Sequence, residues 1–241
     1  MYDLASFSSS DMTKCGVALR KFGANAQSME EVAQRVVSYL YEHLIDQQTG
    51  EPSCALVRFY KTHAFGDLPV PLRAFASGVL GAASLPPATK CLTLLATSGI
   101  RPEWNARNMS VGHQAIPLAS PELVARLPMV ARLFKQFGVE IESFLATDPA
   151  MLLNLDEQTF NVFYVPDAVG SPIIPAQTDF VVPYGIRSVL GFGGVLPSGD
   201  LFAIILFSKV PISRTIAELF KPLAMNVKVA VLPFEGVAAF A

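Results

Sequence analysis

The run TFNVFYVPDAVGSP (residues 159–172), continued by PYGIRSVLGFGG (183–194) and LPSGDLFAIILFSKVPIS (196–213), decides the fold. Aromatic and β-branched side chains dominate residues 160–165, which fits a pleated strand, and Pro166-Asp167 behind them is a stop signal. Residues 187–195 and 201–209 predict two more strands. The Leu-Pro-Ser-Gly-Asp between them (196–200) has the φ-fixing proline and permissive glycine that a reversal needs, so the two form a hairpin. Beyond it, Ser213 or Thr215 can cap a helix, with Glu218 completing a Thr-x-x-Glu capping box. Ile216, Leu219, Phe220, Leu223, Val227 and Val231 then fall on one helical stripe that can lie on the sheet.

Working outward, residues 12–22 predict a first helix with a mediocre stripe (Cys15, Val17, Ala18, Leu19) and a stop at Gly23. Ser28-Met-Glu-Glu31 is a capping box, and Met29, Val32, Val36, Leu40 and Leu44 repeat at three and four residues, so a helix runs from 29 to about 45. Gly50 and Pro52 punctuate a turn. Residues 54–61 (CALVRFYK) alternate as a strand, with Ala55, Val57 and Phe59 on one face and Cys54, Leu56, Arg58 and Tyr60 on the other. Residues 62–67 are expected as a loop, 71–80 as a short helix ending at Gly81, and 91–96 (CLTLLA) as another strand.

The order of strand, Val-Pro-Asp step, Ser-Val-Leu-Gly strand, hairpin and closing helix resembles the second half of a GAF domain, a sensory module of bacterial and eukaryotic signalling proteins. The helix and two strands before it match the first half in order and type. The resemblance covers 28–97 and 159–232. It implies an α+β fold: a central antiparallel sheet of about five or six strands, helices packed on one face and a lid on the other. Between the halves, 98–158 departs from the family as a long insertion. Within it, 116–118 reads as a short extended piece and 121–137 as a helix that Pro128 kinks or splits and Gly138 ends. The insertion is too apolar for a floppy loop and is expected to pack as a lid or added layer. The chain therefore reads as one domain, 1–241: an N-terminal helix (1–27), a first core half (28–97), the insertion (98–158), and a second core half with its closing helix (159–232). The softest points are Pro87-Ala88 and 147–148.

With 51% hydrophobic and 16% charged residues in 241, a sizeable core is available. A net charge of -2, with 18 scattered Lys and Arg, offers no basic face for a phosphate backbone, so nucleic acid is not an expected partner. Mean hydropathy is +0.41, yet no run of about 20 residues is free of Pro, Gly and charge, so no membrane span is expected either. The first residues have neither a basic nor an apolar signal region. Three cysteines, Cys15, Cys54 and Cys91, at wide spacing suit reduced thiols in a cytoplasm.

The three histidines, His43, His63 and His113, lack metal-ligand spacing. No Gly-x-Ser-x-Gly elbow occurs, and Gly191-Phe-Gly-Gly194 lacks the spacing of a dinucleotide cradle. GAF chemistries can also be compared. Bilin-binding members carry a Cys-His pair, free methionine sulfoxide reductases need closely arranged cysteines, and cyclic-nucleotide members carry an Asn-Lys-x-Phe-Asp-Glu signature; none of these is present. What remains is a small-molecule site under the covering segment 166–183. Phe163, Asp167, Tyr184, Arg187 and Phe192 would supply an aromatic floor with polar anchors, and Arg58 a guanidinium able to meet an anion beside Tyr60. Trp104 and His113 would stand at the mouth, with His63 a further candidate there. The cofactor, if any, is unknown from these residues, and no catalytic or metal residue is assigned.

The resemblance implies a cytoplasmic sensor that binds a small ligand and signals through its terminal helices, most naturally as a homodimer. In such proteins a histidine kinase or diguanylate cyclase module commonly follows; here the chain ends at Ala241, as a fragment or stand-alone regulator would. The alternatives are an enzyme using the same pocket, with Asp167 or His113 as acid or base, and an interaction scaffold whose pocket is filled by its own side chains.

Overall fold

The computed structural model describes residues 1–81, 84–146, 161–236 and 239–240. Six antiparallel strands form the central sheet: β3 (Cys54–Ala64), β4 (Lys90–Gly99), β5 (Ala115–Pro117), β6 (Asn161–Val165), β7 (Ser188–Val195) and β8 (Leu201–Ser208), in the order β5-β4-β3-β8-β7-β6. The first and second halves of the chain thus meet in one sheet, where β3 pairs with β8 from Cys54↔Ser208 to Lys61↔Phe202. A short parallel pair, β1 (Tyr2–Asp3) with β2 (Leu44–Ile45), ties the N-terminus to the sequence after the second helix.

Helices α1 (Ser9–Arg20) and α2 (Met29–His43) are set by caps. Ser8 and Asp11 form a reciprocal capping box that starts α1 three residues earlier than its apolar stripe suggests. Ser28 accepts from Glu31 N, and the stripe Met29, Val32, Val36 and Leu40 is buried as its spacing demands. Leu44 and Ile45 leave the helix because they pair with β1.

The closing helix is two pieces, α7 (Arg214–Glu218) and α8 (Lys221–Val231). Pro222 has no N–H and can sit only in a first turn, so the stripe from Ile216 to Val231 survives on two segments. Ser213 is the cap; Glu218 pairs with Arg214 instead of completing a box at Thr215. In the insertion, Pro128 starts a new helix, giving α4 (Pro121–Ala125) and α5 (Pro128–Phe137), and Gly138 closes α5 at φ 73. The short α6 (Ile141–Leu145) follows, while α3 (Val70–Val79) packs against β5. The rest of the expected insertion, including the soft point at 147–148, and the first residue of the strand expected from 160 lie outside the described residues.

Both faces of the sheet are covered. On one, Cys15, Leu19, Val36, Leu223 and Val227 of α1, α2 and α8 pack on Val57, Phe192, Phe202 and Leu206. On the other, Leu133, Phe134 and Phe137 of α5 with Phe144 of α6, and Ile174 and Val181 of the covering segment, pack on Leu94, Phe163, Val189 and Ile205. Double coverage explains why LFAIILFS in β8 is apolar at nearly every position and buried throughout. The fold class is thus as the sequence implies: α+β, an antiparallel sheet with long helices on one side and insertion plus covering segment on the other.

Two expectations for β3 change. The strand runs three residues further, because Thr62, His63 and Ala64 pair with Leu92, Cys91 and Lys90. A bulge between Cys54 and Leu56 also breaks the alternation, so Cys54 joins the helix side and Ala55 the lid side.

At Gly193 the backbone of β8 leaves no room for a side chain: a Cβ there would sit 2.1 Å from Phe202 O and 2.9 Å from Ala203 Cα. Both are backbone atoms, so no rotamer change relieves the clash. Gly193→Ala is expected to destabilise the protein by about 3 kcal/mol or more, read as a lowered urea midpoint at unchanged slope.

Candidate functional site

The lid side of the sheet brings several candidate residues together at one end. Arg58 on β3 donates from Nη1 to Tyr60 Oη at 3.1 Å and from Nη2 to Ser110 Oγ at 3.2 Å. Ser110 Oγ in turn donates to Gly112 O at 2.8 Å. Directly opposite Arg58 on β4 stands Thr97, so the two side chains share a face. Thr97 is wholly buried and its Oγ1 has no partner; Arg58 Nε is likewise buried and without an acceptor. Two polar atoms left this way in a covered layer are costly, of the order of 1–3 kcal/mol each.

His113 lies beside Arg58 at φ 61, a backbone conformation uncommon for a residue with a Cβ. Burial of part of its ring and the nearby Arg58 charge hold its imidazole below the usual histidine range. Because the residue is also exposed at the surface, solvent screens much of that depression.

Two strand positions along the same face, Leu56 opposes Gly99, and Trp104 lies over that pair: a Cβ on Gly99 would be 3.0 Å from Trp104 Cε3. Asn105 fixes this loop by accepting from Gly99 N at 2.9 Å and donating to Gly99 O and Arg101 O. Trp104 packs against Tyr184 (4.6 Å between ring centroids) and edge-on to Phe180, which abuts Phe207. Tyr184 Oη accepts from Arg101 Nη1 at 3.0 Å. The covering segment thus meets the insertion through aromatic rings.

Other candidates are placed elsewhere. Phe163 is fully buried on the lid side, under Gly191. Phe192, paired with Val162, turns to the helix side against Phe220, because alternation puts it opposite Phe163. Asp167 and Arg187 are both exposed and do not form an ion pair; Arg187 contributes its backbone, accepting from Ala168 N and donating to Ser208 O. His63 is not in a mouth loop but on β3, buried, its ring tilted against that of Phe240 with centroids 5.0 Å apart, and both ring nitrogens lacking a partner.

Sequence reasoning missed Thr97, Ser110 and a second polar cluster. Lys61, 5% exposed, pairs with Asp200 of the β7–β8 turn at 2.7 Å. Thr62 Oγ1 bonds the same carboxylate and accepts from Leu201 N, while Lys90 stands 3.9 Å away. Burial opposes ionisation of Asp200, but Lys61, Lys90 and His63 together hold its carboxyl below the usual range. Burial, reinforced by Lys61, pulls His63 down to about 3. The cysteines sit apart in the fold and are buried, which pushes Cys15 and Cys54 up to about 12 and Cys91 to about 11. Thiols held in that form are poor nucleophiles. Among the described residues no group of three or more His, Cys, Asp or Glu is placed to hold a metal ion.

Two surface clefts open away from this region. One of about 390 Å³ lies between α1 and α8, lined by Gly16, Val17, Arg20 and Asn226, and one of about 530 Å³ borders α3 at Arg73 and Ser77.

No family model matches the chain, and no curated protein matches it in sequence. Among solved structures it is similar to a free methionine-R-sulfoxide reductase from Neisseria meningitidis, at 11% identity and TM-score 0.53, over 97% of this chain and 95% of that one. The chain's fold is GAF-like. Also similar are the GAF domain of an Acinetobacter phosphoenolpyruvate-protein phosphotransferase (10% identity, TM-score 0.44, 95% and 97% covered) and a phycoerythrobilin-bound GAF domain of a cyanobacterial phytochrome (11%, 0.43, 95% and 99%). Within this GAF-like fold no helix among the described residues is long and apolar enough to cross a membrane.

The His63 environment sets a pH dependence. Its folded value lies below the 6.5 of the free side chain, so the unfolded chain binds the extra proton. Stability from this group is complete above about pH 6.5 and falls as pH drops toward about 3, with a slope of at most about 1.4 kcal/mol per pH unit. His63→Leu is expected to flatten the unfolding free energy between about pH 6.5 and 4.5. A curve parallel to the parent in urea titrations would count against this account.

Proposed function

We propose that the chain is a GAF-like sensory domain that binds a small ligand on the lid side of its sheet, at the Arg58–Thr97 end. The observation that carries this reading is a charged, partly buried guanidinium whose acceptors are the neutral hydroxyls of Tyr60 and Ser110, facing an unpartnered Thr97 hydroxyl. Unsatisfied polar groups in a covered layer call for an explanation, and a bound polar ligand supplies one.

The response runs through the 100–114 loop. The same loop carries Ser110 and His113 at the site and Arg107, whose Nε and Nη2 grip Glu30 at 2.8 and 3.0 Å in the first turn of α2. A ligand that favours one arrangement of this loop biases α2 by the difference in its affinity for the two arrangements. Within this reading the domain is cytoplasmic, consistent with three free buried thiols, and pairs with a second copy through the α1–α8 surface, where Val17, Met225 and Val229 are exposed. A downstream histidine kinase or diguanylate cyclase output belongs to the same proposal.

A second reading, an interaction scaffold, has its own support: among the described residues the lid side is filled by Phe134, Phe137, Phe144 and Phe163, and both clefts lie elsewhere. Native mass spectrometry of freshly purified protein separates the two. The sensory reading expects a co-purified mass, and its removal should shift the emission of Trp104, the sole tryptophan. A bare chain with unchanged emission across a metabolite extract would leave the scaffold.

A further inference from the structure

Three arginines border the candidate site, and two are neutralised. Arg101 pairs with Glu103, and Arg107 with Glu30. Arg58 has no carboxylate within ion-pair distance among the described residues, although its Nε is fully enclosed. A guanidinium stays charged and can only donate.

The remaining hydrogen-bonding capacity of the site has one sign. Arg58 Nε–H is unused, and Tyr60 Oη accepts from Arg58, which leaves its own proton available. Thr97 Oγ–H is unused and lies on the same face. Ser110 Oγ already spends its proton on Gly112 O. These donors lie on one face of two paired strands, and none has an acceptor among the described residues. A water could answer one or two of them but not the charge.

We propose that this position is the head-group site of a small organic monocarboxylate, its carboxylate seated against Arg58, Thr97 and Tyr60 and its apolar body directed along the sheet face toward Trp104. The inference rests on the sensory reading above and names its ligand class. A carboxylate presents two acceptor oxygens to a guanidinium edge and matches a single positive charge. A phosphate dianion would leave one negative charge uncompensated in a covered layer. The body has an apolar surface within reach, since Leu56 and Gly99, with Trp104 above them, are two strand positions or roughly 7 Å from Arg58 and Thr97. The route in is the 100–114 loop, where Val111 is 96% exposed and Ser110 and His113 form the outer wall.

The test uses the full chain and four probes: hexanoate, phenylacetate, phenylacetamide and inorganic phosphate, each titrated by calorimetry and by Trp104 emission. Hexanoate or phenylacetate should bind, and phenylacetamide, which has the same shape without the charge, should not. Arg58→Gln should weaken the carboxylate on the order of tenfold to hundredfold, the loss expected for a charge-assisted pair. Thr97→Val, nearly isosteric and buried, guards against a folding defect at Arg58 and should weaken binding several-fold without lowering the melting midpoint. Equal binding of acid and amide, phosphate binding as tight as the acids, or unchanged affinity in both variants would overturn the assignment. A neutral co-purified ligand that moves Trp104 emission while no carboxylate does would overturn it too, yet leave the sensory reading intact. No co-purified mass and no probe binding would end both.

Discussion

Everything in this protein follows from the position of β3. It is hydrogen-bonded along both edges, to β4 and β8, and covered on both faces, by α1, α2 and α8 on one side and by α5, α6 and the covering segment on the other. A strand so enclosed should consist of apolar residues only. Its sequence, CALVRFYKTHA, instead carries Arg58, Lys61 and His63. Each polar group on it must find a partner inside the protein or remain a standing cost.

The three are resolved differently. Lys61 reaches Asp200 at 2.7 Å, and Thr62 and Ser198 tie the same carboxylate, so a charged pair with good geometry closes the hairpin end of the sheet. His63 is resolved by staying neutral, its ring tilted against Phe240. Arg58 cannot shed its charge, has no counter-charge among the described residues, and leaves Nε without an acceptor. The contrast within one strand matters: the fold demonstrably provides a carboxylate for a buried cation where the cation's purpose is structural.

Much of the architecture was legible because it is local. Caps at Ser28 and Ser213, the Pro-Ser-Gly turn and the Pro128 break are written in single residues whose backbone chemistry acts wherever they stand. The misreadings arise where tertiary pairing overrides a local pattern. Alternation in CALVRFYK fails at a bulge that only the β8 partner reveals, and the strand continues through His63 because β4 continues opposite it. Phe192 reads as part of the lid-side floor yet faces the helices, since a run buried on both sides gives no alternation by which to tell the faces apart. Pro222 is the exception, a local signal that an otherwise regular stripe concealed. The site was half legible. Arg58, Tyr60, Trp104, His113 and Tyr184 are residue types that stand out, whereas Thr97 and Ser110 become meaningful only once strand register and loop path put them beside Arg58.

The arrangement also constrains how any signal leaves the site. Arg58 and Tyr60 are fixed on a strand paired along both edges, and Thr97 is paired to it across β4, so those walls cannot move without disturbing the sheet. Ser110, His113 and Trp104 belong to the loop between β4 and β5, held by the Asn105 clamp at one end and by Gln114, which bonds Ser110 O, at the other. Between those two anchors lies Arg107, gripping Glu30 at the start of α2 and lying 5.4 Å over the ring of Phe240. On the sensory reading proposed above, a ligand at Arg58 would bear on the loop rather than on the strands, and the loop reaches the helix face through Arg107 and Glu30. The sheet itself separates the two sides; the Arg107–Glu30 pair passes around its edge.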